Sequence, residues 1–479
     1  MNSFFPSMLK ALFYWSLVLV LFPFGDASEI KFQNLDISDH HYHSSSASVC
    51  NRASTTGFEN RLEVVHNNDP CAHGKYKRRP KLSSAEILDK DLLRVKSIQA
   101  RVVGSINTNI QFSLDETTKI PVGSGVPFDT HNYMVTIGLG TPKRNLTLAF
   151  DTGSELTWTQ CQPCVKHCYQ QKDPIFNPNN STSYSSISCN SKDCPQDTFG
   201  CYNNITCAYG IRYEDNSYTK GFLNKDKLTI TPTDVFDNFL FGCGQNSSGS
   251  FGKIDGILGL NKDPISFVSQ TAQKYDKYFS YCLPKSTGST GFLEFGKKDD
   301  AVTMISTPFV PPPPDVSDMF YFIEITTISV GRTQLAINES VFKKAGTIID
   351  SGTVITRLPL AAYSAMSEEF KKQMNVKKYK SGPAFEILDT CFHIDIGAQD
   401  TNNIEVPKVS FTFKGDATVD LDASGTLWVV NSTFACLAFA GKSDPSDFAI
   451  FGNTQQKTFE VAYDVARQKL GFIHNPNCQ

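Results

Sequence analysis

Ala149-Phe150-Asp151-Thr152-Gly153-Ser154 is repeated as Ile348-Ile349-Asp350-Ser351-Gly352-Thr353, and the two aspartates are 199 residues apart. Each copy is followed by two apolar residues and a glycine, in Ile257-Leu258-Gly259 and in Ile450-Phe451-Gly452. These glycines lie 108 and 102 residues beyond their aspartates. One Asp-Thr-Gly alone is usually a surface turn, but two copies with matched partners at matched spacing indicate an internal repeat. The sequence therefore predicts two similar lobes that each contribute one carboxylate.

The chemistry of the repeat follows from the pairing of its carboxylates. In each copy an apolar run leads the aspartate into a turn where glycine permits close backbone approach. Two carboxyls within hydrogen-bonding distance share a proton and titrate as a coupled pair, as in the known aspartic-protease dyads. The ionised partner can take a proton from water while the protonated partner polarises a carbonyl. The pattern predicts peptide-bond hydrolysis without a metal or another cofactor.

The composition favours a secreted, all-β protein. A net charge of −3, from 45 Lys and Arg against 48 Asp and Glu, excludes a broadly basic nucleic-acid coat or a polybasic membrane binder. The 36 Phe and 17 Tyr, with 31 Gly and 24 Pro, favour strands and turns over helix bundles. Fourteen cysteines are an even number and many for a cytosolic enzyme, which indicates an oxidising compartment.

Residues 1–28 have the pattern of a secretory signal peptide. Lys10 precedes a short apolar run over residues 11–22, and small residues follow at Gly25, Ala27 and Ser28. The alternative is an uncleaved anchor, although the run is short for a membrane span. The sequence predicts secretion to the apoplast, with the vacuole as a second destination and the plastid disfavoured. Glycosylation acceptors agree with secretion and occur at Asn145, Asn179, Asn180, Asn204, Asn246, Asn338 and Asn431.

Residues 29–112 differ from the rest of the chain in charge. They carry twelve Lys and Arg against nine Asp and Glu, whereas residues 113–479 have a net charge of −6. Five of the nine histidines also fall here. Apolar residues recur at helical spacing from Ser84 to Arg101, and Ser83 or Ser84 is a plausible helix cap. We expect an inhibitory prosegment that is released on acidification, with a flexible linker as the alternative.

From about Asn132 onward, short β-type runs alternate with glycines, as in residues 133–138, 292–296, 323–326 and 409–413. One helix is predicted over residues 361–374, with Pro359 near its start. The run Pro311-Pro312-Pro313-Pro314 indicates a loop and a boundary. The predicted units are an N-terminal lobe over residues 113–310, with a Cys-rich insertion, and a C-terminal lobe over residues 311–479.

The stretches at 151–164 and 350–359 resemble those of pepsin-like aspartic proteases of the plant nepenthesin type. They are also similar to the group typified by the chloroplast-nucleoid DNA-binding aspartic protease. The resemblance extends from residues 62–66 in the prosegment to Gly471-Phe472 and so covers nearly the whole chain. It implies a bilobal β fold with the cleft between the lobes, an acid pH optimum, and extended peptide substrates with apolar side chains beside the scissile bond.

The resemblance assigns roles to individual residues. Asp151 and Asp350 match the catalytic pair, which Gly153 and Gly352 adjoin. Ser154 and Thr353 match hydroxyls that bond the outer carboxylate oxygens, while Thr152 and Ser351 buttress the two turns. Trp158 resembles the aromatic residue that supports the flap.

The predicted flap is a hairpin around Tyr209 to Gly221, with Tyr213 as its aromatic side chain. The family's usual Tyr-Gly-Asp-Gly-Ser is replaced by Tyr213-Glu214-Asp215-Asn216-Ser217, so both glycines are lost. Asn216 tolerates a positive φ and can preserve the turn. Glu214 puts the mobility of the flap in question.

The cysteines beyond residue 112 number twelve and permit six disulfides. Eight of them crowd the first lobe, where zinc binding by Cys161 and Cys164 is the alternative to disulfides. In a secreted chain without a matching second pair, disulfides are favoured. The resemblance implies a second-lobe bridge between Cys391 and Cys436, and Cys282–Cys478 is a second predicted pair. Cys50 and Cys71 fall in the prosegment and are not assigned.

The dense basic run at residues 75–81 could bind DNA phosphates, but such runs are more often solvated or processed. The acidic mature chain would repel phosphates, so no nucleic-acid partner is expected for it. The sequence as a whole predicts a monomeric, secreted aspartic endopeptidase made as a zymogen, with peptides or proteins as substrates. Two alternatives remain: a catalytically weak binding or inhibitor protein on the same fold, and a plastid nucleoid DNA-binding protease.

Overall fold

The computed structural model describes a defined set of segments of the 479-residue chain. These are residues 30–36, 61–66, 83–102, 133–194, 199–212, 217–249, 251–284, 290–296, 304–314, 316–343, 346–394, 403–442, 444, 448–474 and 478. The predicted signal peptide, the basic run at 75–81, the predicted boundary at 112/113 and the flap residues Tyr213 to Asn216 lie outside the described residues.

Within the described segments the helices are few, and two of them are long. They are α1 (Ser84–Val102), α2 (Phe267–Gln270), α3 (Ala272–Tyr275), α4 (Ser340–Lys343), α5 (Leu360–Val376) and α6 (Ala423–Thr426). The long helices α1 and α5 match the two helices predicted from the sequence. Pro359 stands at the N-cap of α5, where its fixed φ suits the start of a helix.

The first strands run from the N-terminal segment through the first lobe. They are β1 (Phe32–Asp36), β2 (Arg61–His66), β3 (Tyr133–Leu139), β4 (Arg144–Asp151), β5 (Trp158–Gln160), β6 (Ser185–Ser186), β7 (Gly200–Tyr202), β8 (Thr206–Arg212), β9 (Tyr218–Thr229), β10 (Val235–Ser248), β11 (Gly256–Gly259), β12 (Tyr278–Cys282) and β13 (Thr290–Phe295).

The remaining strands build the second lobe. They are β14 (Met304–Pro308), β15 (Phe322–Ile323), β16 (Ile325–Val330), β17 (Thr333–Gln334), β18 (Thr347–Ile349), β19 (Thr356–Leu358), β20 (Lys380–Gly382), β21 (Cys391–His393), β22 (Asn403–Pro407), β23 (Val409–Phe413), β24 (Ala417–Asp420), β25 (Leu427–Asn431), β26 (Phe434–Leu437), β27 (Phe439–Gly441), β28 (Ala449–Phe451), β29 (Glu460–Asp464) and β30 (Lys469–Ile473).

A 15-stranded sheet connects the two lobes. Strand β12 of the first lobe pairs antiparallel with β29, which in turn pairs with β30 near the end of the chain. The second lobe adds smaller sheets, including one with the order β15-β18-β28-β19-β27. The large apolar core runs through both lobes and includes Phe150, Tyr281, Phe411 and Phe451. The predicted all-β, two-lobed fold is confirmed.

The two repeats adopt the same local topology. Strand β4, which ends at Asp151, pairs parallel with β11, so that Asp151 lies opposite Gly259. Strand β18, which precedes Asp350, pairs parallel with β28. A Cβ at Gly259 would lie 2.6 Å from the carbonyl oxygen of Glu155, and one at Gly452 would lie 2.9 Å from that of Val354. The downstream glycines therefore let a second chain segment pass directly beneath each aspartate turn.

The N-terminal segment, here the described part of residues 30–102, contacts both lobes. Strand β2 is inserted between β13 and β3 of the large sheet. Strand β1 pairs antiparallel with β22 in the second lobe. Helix α1 buries Leu88, Val95 and Ile98. The segment is thus built into the fold and does not hang from it as a free linker.

The twelve cysteines beyond residue 112 form six disulfides. The bonds are Cys161–Cys243, Cys164–Cys168, Cys189–Cys201, Cys194–Cys207, Cys282–Cys478 and Cys391–Cys436. Both pairs predicted from the sequence are among them. Cys161 and Cys164, the candidate zinc ligands, each form a disulfide.

The predicted glycosylation acceptors differ in exposure. Asn145, Asn179, Asn180, Asn204, Asn338 and Asn431 are exposed, whereas Asn246 is only 7% exposed. The amide oxygen of Asn246 accepts a hydrogen bond of 3.2 Å from the hydroxyl of Tyr218. Within the described residues, no helix is both long and apolar enough to cross a membrane.

Candidate active site

The two aspartates of the repeat meet at the junction of the lobes. Asp151 and Asp350 both have no exposed surface. A Cβ added to Gly153 would lie 2.8 Å from Oδ1 of Asp350, and one added to Gly352 would lie 2.8 Å from Oδ1 of Asp151. Each glycine therefore leaves room for the carboxylate of the opposite lobe, which explains why neither turn has a side chain there.

Each carboxylate is held by the turn that carries it. The hydroxyl of Ser154 donates to Oδ2 of Asp151, and the amide of Gly153 donates to Oδ1 of Asp151 over 2.9 Å. In the second lobe, the hydroxyl of Thr353 donates to Oδ2 of Asp350 over 2.6 Å. These bonds fix the orientation of both carboxyl planes.

The second residue of each turn joins the lobes. The amide of Ser351 donates to the hydroxyl oxygen of Thr152 over 2.9 Å, and the amide of Thr152 donates to the hydroxyl oxygen of Ser351 over 3.1 Å. Since both amides are buried, each hydroxyl satisfies a donor that would otherwise be unpaired. The reciprocal pair sets the spacing between the two carboxylates.

A layer of polar side chains supports the second turn from below. The side-chain amide of Gln456 donates to the backbone oxygen of Asp350 over 3.1 Å, and Asn453 donates to that of Ser351 over 2.9 Å. The hydroxyl of Tyr281 donates to the amide oxygen of Gln456. Burial raises the pKa of Tyr281, so its hydroxyl keeps the proton that it donates. These supporting residues were not among the site residues predicted from the sequence.

Trp158 lies in the apolar cluster beneath the predicted flap. It is fully buried and packs edge-to-face on Phe251, with ring centroids 5.0 Å apart. The same cluster contains Tyr209 of β8 and Leu223 of β9, the two strands that pair into the hairpin. The hairpin is present where the sequence predicts the flap, while its tip at Tyr213 lies outside the described residues.

Helix α1 places the guanidinium of Arg94 against both aspartates. Nη1 and Nη2 of Arg94 donate to Oδ2 and Oδ1 of Asp151 over 2.7 and 2.6 Å. Nη2 also lies 3.2 Å from both carboxylate oxygens of Asp350. Burial alone would lower the pKa of Arg94, but the two carboxylates outweigh burial and raise it. Arg94 therefore stays charged and occupies the space between the carboxylates.

The remainder of α1 is fixed mainly to the second lobe. Leu88 packs in one cluster with Val354 and Ile355. The side-chain amide of Gln99 exchanges two hydrogen bonds, of 2.9 and 2.8 Å, with the backbone of Phe448. The carboxylate of Asp91, one turn before Arg94, is also buried against this lobe. The helix lies across the cleft where an extended peptide would have to bind.

Sequence reasoning predicted the helix but missed Arg94 and Asp91. The buried face of α1 contains Leu88, Asp91, Val95 and Ile98 at intervals of three or four residues. The signal that could have been read is the charged residue that interrupts this otherwise apolar face. Charged groups on the buried face of an amphipathic helix need partners. Those partners are 57 to 266 residues away in sequence, so no local pattern could identify them.

Two similar lobes that bring together one buried aspartate each define the class of pepsin-like aspartic-type endopeptidases. Comparisons with known proteins agree with this class. The family models described as Xylanase inhibitor N-terminal and Xylanase inhibitor C-terminal match residues 133–297 and 320–474. The chain is 42% identical over 433 residues to aspartyl protease AED1 of Arabidopsis thaliana, which covers 90% of this chain and 89% of that protein.

Two further relatives extend the comparison. An Arabidopsis thaliana aspartyl protease family protein is 45% identical over 437 residues, covering 90% of each chain. Nepenthesin-2 of Nepenthes gracilis, an aspartic proteinase, is 33% identical over 384 residues, covering 78% of this chain and 83% of its own. The chain therefore belongs to the plant pepsin-like aspartic proteases.

Solved structures share the fold at lower identity. The crystal structure of edgp has a TM-score of 0.58 and 20% identity, covering 71% of this chain and 91% of that one. Basic 7S globulin from soybean has a TM-score of 0.55 and 19% identity, covering 72% and 92%. At these identities the likeness establishes the fold alone.

Proposed function

We propose that the chain is a secreted aspartic endopeptidase, made as a zymogen, that cleaves peptide bonds at acid pH. The observation that carries the proposal is the arrangement of Asp151 and Asp350, which are both buried, both bonded by a hydroxyl of their own turn, and bridged by one guanidinium. A pair arranged in this way can share a proton once the guanidinium has left.

In the mature enzyme the two carboxyls would work in complementary protonation states. The ionised carboxylate accepts a proton from a water molecule held between them, while the protonated one donates a hydrogen bond to the scissile carbonyl. Water attacks the carbonyl carbon, and the proton then passes to the leaving amine. Ser154 and Thr353 keep the carboxylates oriented, and the crossed bonds of Thr152 and Ser351 hold them at working distance.

The prosegment proposal rests on Arg94. Its guanidinium lies where the attacking water and the scissile carbonyl must bind, and it forms ion pairs with both aspartates. Acidification protonates one of these carboxyls, which weakens the ion pairs. Release of α1 then opens the cleft, and proteolysis after residue 102 would make the opening permanent.

The test uses the full chain, purified and incubated from pH 3 to 7 with a denatured protein, with and without pepstatin. We expect pepstatin-sensitive cleavage below about pH 5, after a lag in which the prosegment is removed. Asp151→Asn and Asp350→Asn should each lose at least about 1000-fold in rate while keeping the wild-type fold. A folded wild-type chain that shows no pepstatin-sensitive cleavage contradicts the proposal.

A second candidate is a binding protein on the same fold that does not turn over peptides. It is favoured by the family description as a xylanase inhibitor and by the replacement of both flap glycines around Glu214. The same assay separates the two functions, since a binding protein leaves the denatured substrate intact at every pH. The destination is proposed from the sequence as the apoplast, which secretion of a tagged chain into the culture medium would test.

A further inference from the structure

A second buried carboxylate of α1 occupies a polar pocket beside the catalytic pair. One oxygen of Asp91 accepts a hydrogen bond from the amide of Val354. The other accepts from the amide of Ile355 over 3.1 Å and from Nη2 of Arg357 over 2.8 Å. Both oxygens of a side chain with no exposed surface are thus bonded by donors of the second lobe.

This pocket belongs to the catalytic turn itself. Val354 and Ile355 directly follow Thr353, whose hydroxyl holds Asp350. Arg357 lies on β19, and its Nη1 donates to the backbone oxygen of Ile355 over 3.1 Å. The second lobe therefore positions the guanidinium independently of α1, which makes the pocket a preorganised set of donors.

Removal of the prosegment would leave these donors without an acceptor. Within the described part of the chain, Asp91 is the carboxylate that forms an ion pair with Arg357, and the Arg357 side chain is only 4% exposed. Once α1 has left, the guanidinium and the two amides face the opened cleft as charged and polar donors that no longer have their acceptor. A carboxylate supplied by a substrate would restore all three bonds.

We propose that Arg357 and the backbone amides of Val354 and Ile355 form a carboxylate-binding subsite of the mature protease, which Asp91 fills in the zymogen. The inference rests on the proposed peptidase function and names its substrate class, which is peptides with an acidic group close to the scissile bond. The specificity is built into the same turn that positions the catalytic aspartate.

The position of the acidic group follows from the helix. Asp91 and Arg94 are three residues apart, and side chains at this helical spacing lie about 5–6 Å from each other. An extended peptide advances about 3.3 Å per residue. With Arg94 marking the catalytic point, the subsite accepts a carboxylate about one to three residues from the scissile bond. That carboxylate can belong to an Asp or Glu side chain or to the C-terminus of a short peptide.

The experiment measures kcat/KM of the matured wild-type enzyme on matched peptides at pH 5. One peptide of known cleavage point carries either Asp or Asn at each of the three positions on both sides of the bond. Separate peptides end one to three residues after the bond as a free acid or as an amide. We expect Asp to exceed Asn by about 10-fold to 100-fold at one position, or the acid to exceed the amide similarly.

The pH dependence and two variants identify the residue responsible. The ratio of Asp to Asn should fall towards one between pH 5 and 3, as the substrate side chain is protonated. Arg357→Gln should remove the preference, and Arg357→Glu should favour Lys over Gln at the same position. Arg332→Gln, an exposed arginine of the same lobe, is the control and should keep the wild-type ratio. A ratio of rates does not depend on how much of a variant is folded.

Each result decides between the two proposals. Cleavage with an Asp-to-Asn and acid-to-amide ratio near one throughout, or a preference that persists in Arg357→Gln, overturns the subsite and leaves the peptidase intact. No pepstatin-sensitive cleavage of any peptide or of denatured protein overturns the peptidase function, and with it the subsite. The wild-type series is decisive even if both Arg357 variants fail to fold.

Discussion

The two catalytic turns are nearly equivalent, but their surroundings are not. In both lobes a hydroxyl three residues after the aspartate bonds the carboxylate, and the turns exchange reciprocal bonds through Thr152 and Ser351. Helix α1, by contrast, packs Leu88, Val95, Ile98, Asp91 and Gln99 on the second lobe, while Arg94 reaches Asp151 of the first. The two catalytic turns are thus equivalent, whereas α1 is bound mainly to one lobe.

The same asymmetry extends beneath the turns. Asp255 lies four residues before Gly259 of the first repeat. When Gly259 is aligned with Gly452, its counterpart in the second repeat is Phe448. Asp255 is buried and accepts a bond of 2.7 Å from the amide of Thr147. Phe448 instead exchanges hydrogen bonds with Gln99 of α1 through its backbone. Equivalent positions therefore hold a buried carboxyl in one lobe and bind helix α1 in the other.

The largest effect is expected from breaking the contact between Arg94 of α1 and Asp151 of the first lobe. Arg94→Gln removes the charge that bridges Asp151 and Asp350, so the intact chain should cleave substrate at pH 6 at least about 100-fold faster than wild type, since a buried ion pair that loses one partner costs several kcal/mol. The measurement is the initial rate before any processed chain appears on a gel. Lys96→Gln, an exposed residue on the same helix, should behave as wild type. If intact Arg94→Gln cleaves substrate no faster than the intact wild type, then α1 blocks the cleft sterically and the charge of Arg94 does not contribute.

The equivalence of the two catalytic turns is tested by Thr152→Val and Ser351→Ala. Each change leaves a buried amide of the opposite turn without its acceptor, which costs about 1–3 kcal/mol. We expect each variant to lose roughly 10-fold to 100-fold in kcat, with a smaller change in KM, and the double variant to lose less than the product of both. Steady-state kinetics on the matured enzymes provide the comparison. A large loss in only one of the two variants would show that the turns are not equivalent.

The sequence predicted the two aspartate repeats far better than the contacts of helix α1. Asp151, Asp350 and the paired Gly259 and Gly452 are local motifs whose chemistry and spacing can be read directly. The bonds of Arg94 and Asp91 connect α1 to turns between 57 and 266 residues away, and such long-range pairs leave no periodic pattern. The helix was predictable from its apolar spacing, but the partners of its buried charges became visible only in the folded chain.

A smaller effect is expected on the pH dependence of stability. Burial, with a contribution from the nearby Asp173, raises the pKa of Asp255 from 3.8 to about 8. Stability from a group whose pKa is raised in the folded state is fully present below the unfolded value of 3.8 and is lost as pH rises towards about 8. Asp255→Asn cannot ionise, so the fall in unfolding free energy from pH 4 to 7 should shrink by on the order of 2 kcal/mol.

The measurement is urea denaturation of the mature protein at pH 4 and at pH 7. Subtracting the two unfolding free energies removes any effect of the Asn side chain that does not depend on pH. Asp237→Asn is the matched control, because its exposed side chain on β10 should leave the pH dependence unchanged. If the unfolding free energy of Asp255→Asn falls from pH 4 to 7 as much as that of wild type, then another buried group sets the pH dependence.

The smallest effect concerns how firmly α1 is held on the second lobe. Ser83 and Glu86 form a reciprocal cap, in which the hydroxyl of Ser83 accepts from the amide of Glu86 over 3.2 Å and the Glu86 carboxylate accepts from the amide of Ser83 over 2.6 Å. Ser83→Ala should destabilise the helix by about 1 kcal/mol and so shift the pH of half-maximal activation upward by a few tenths of a unit, because less protonation is then needed to release α1. Activation is followed as the rate of prosegment loss between pH 3 and 6. Ser84→Ala changes a neighbouring serine without removing this cap, and an equal shift in both variants would assign the effect to local sequence instead of to the cap.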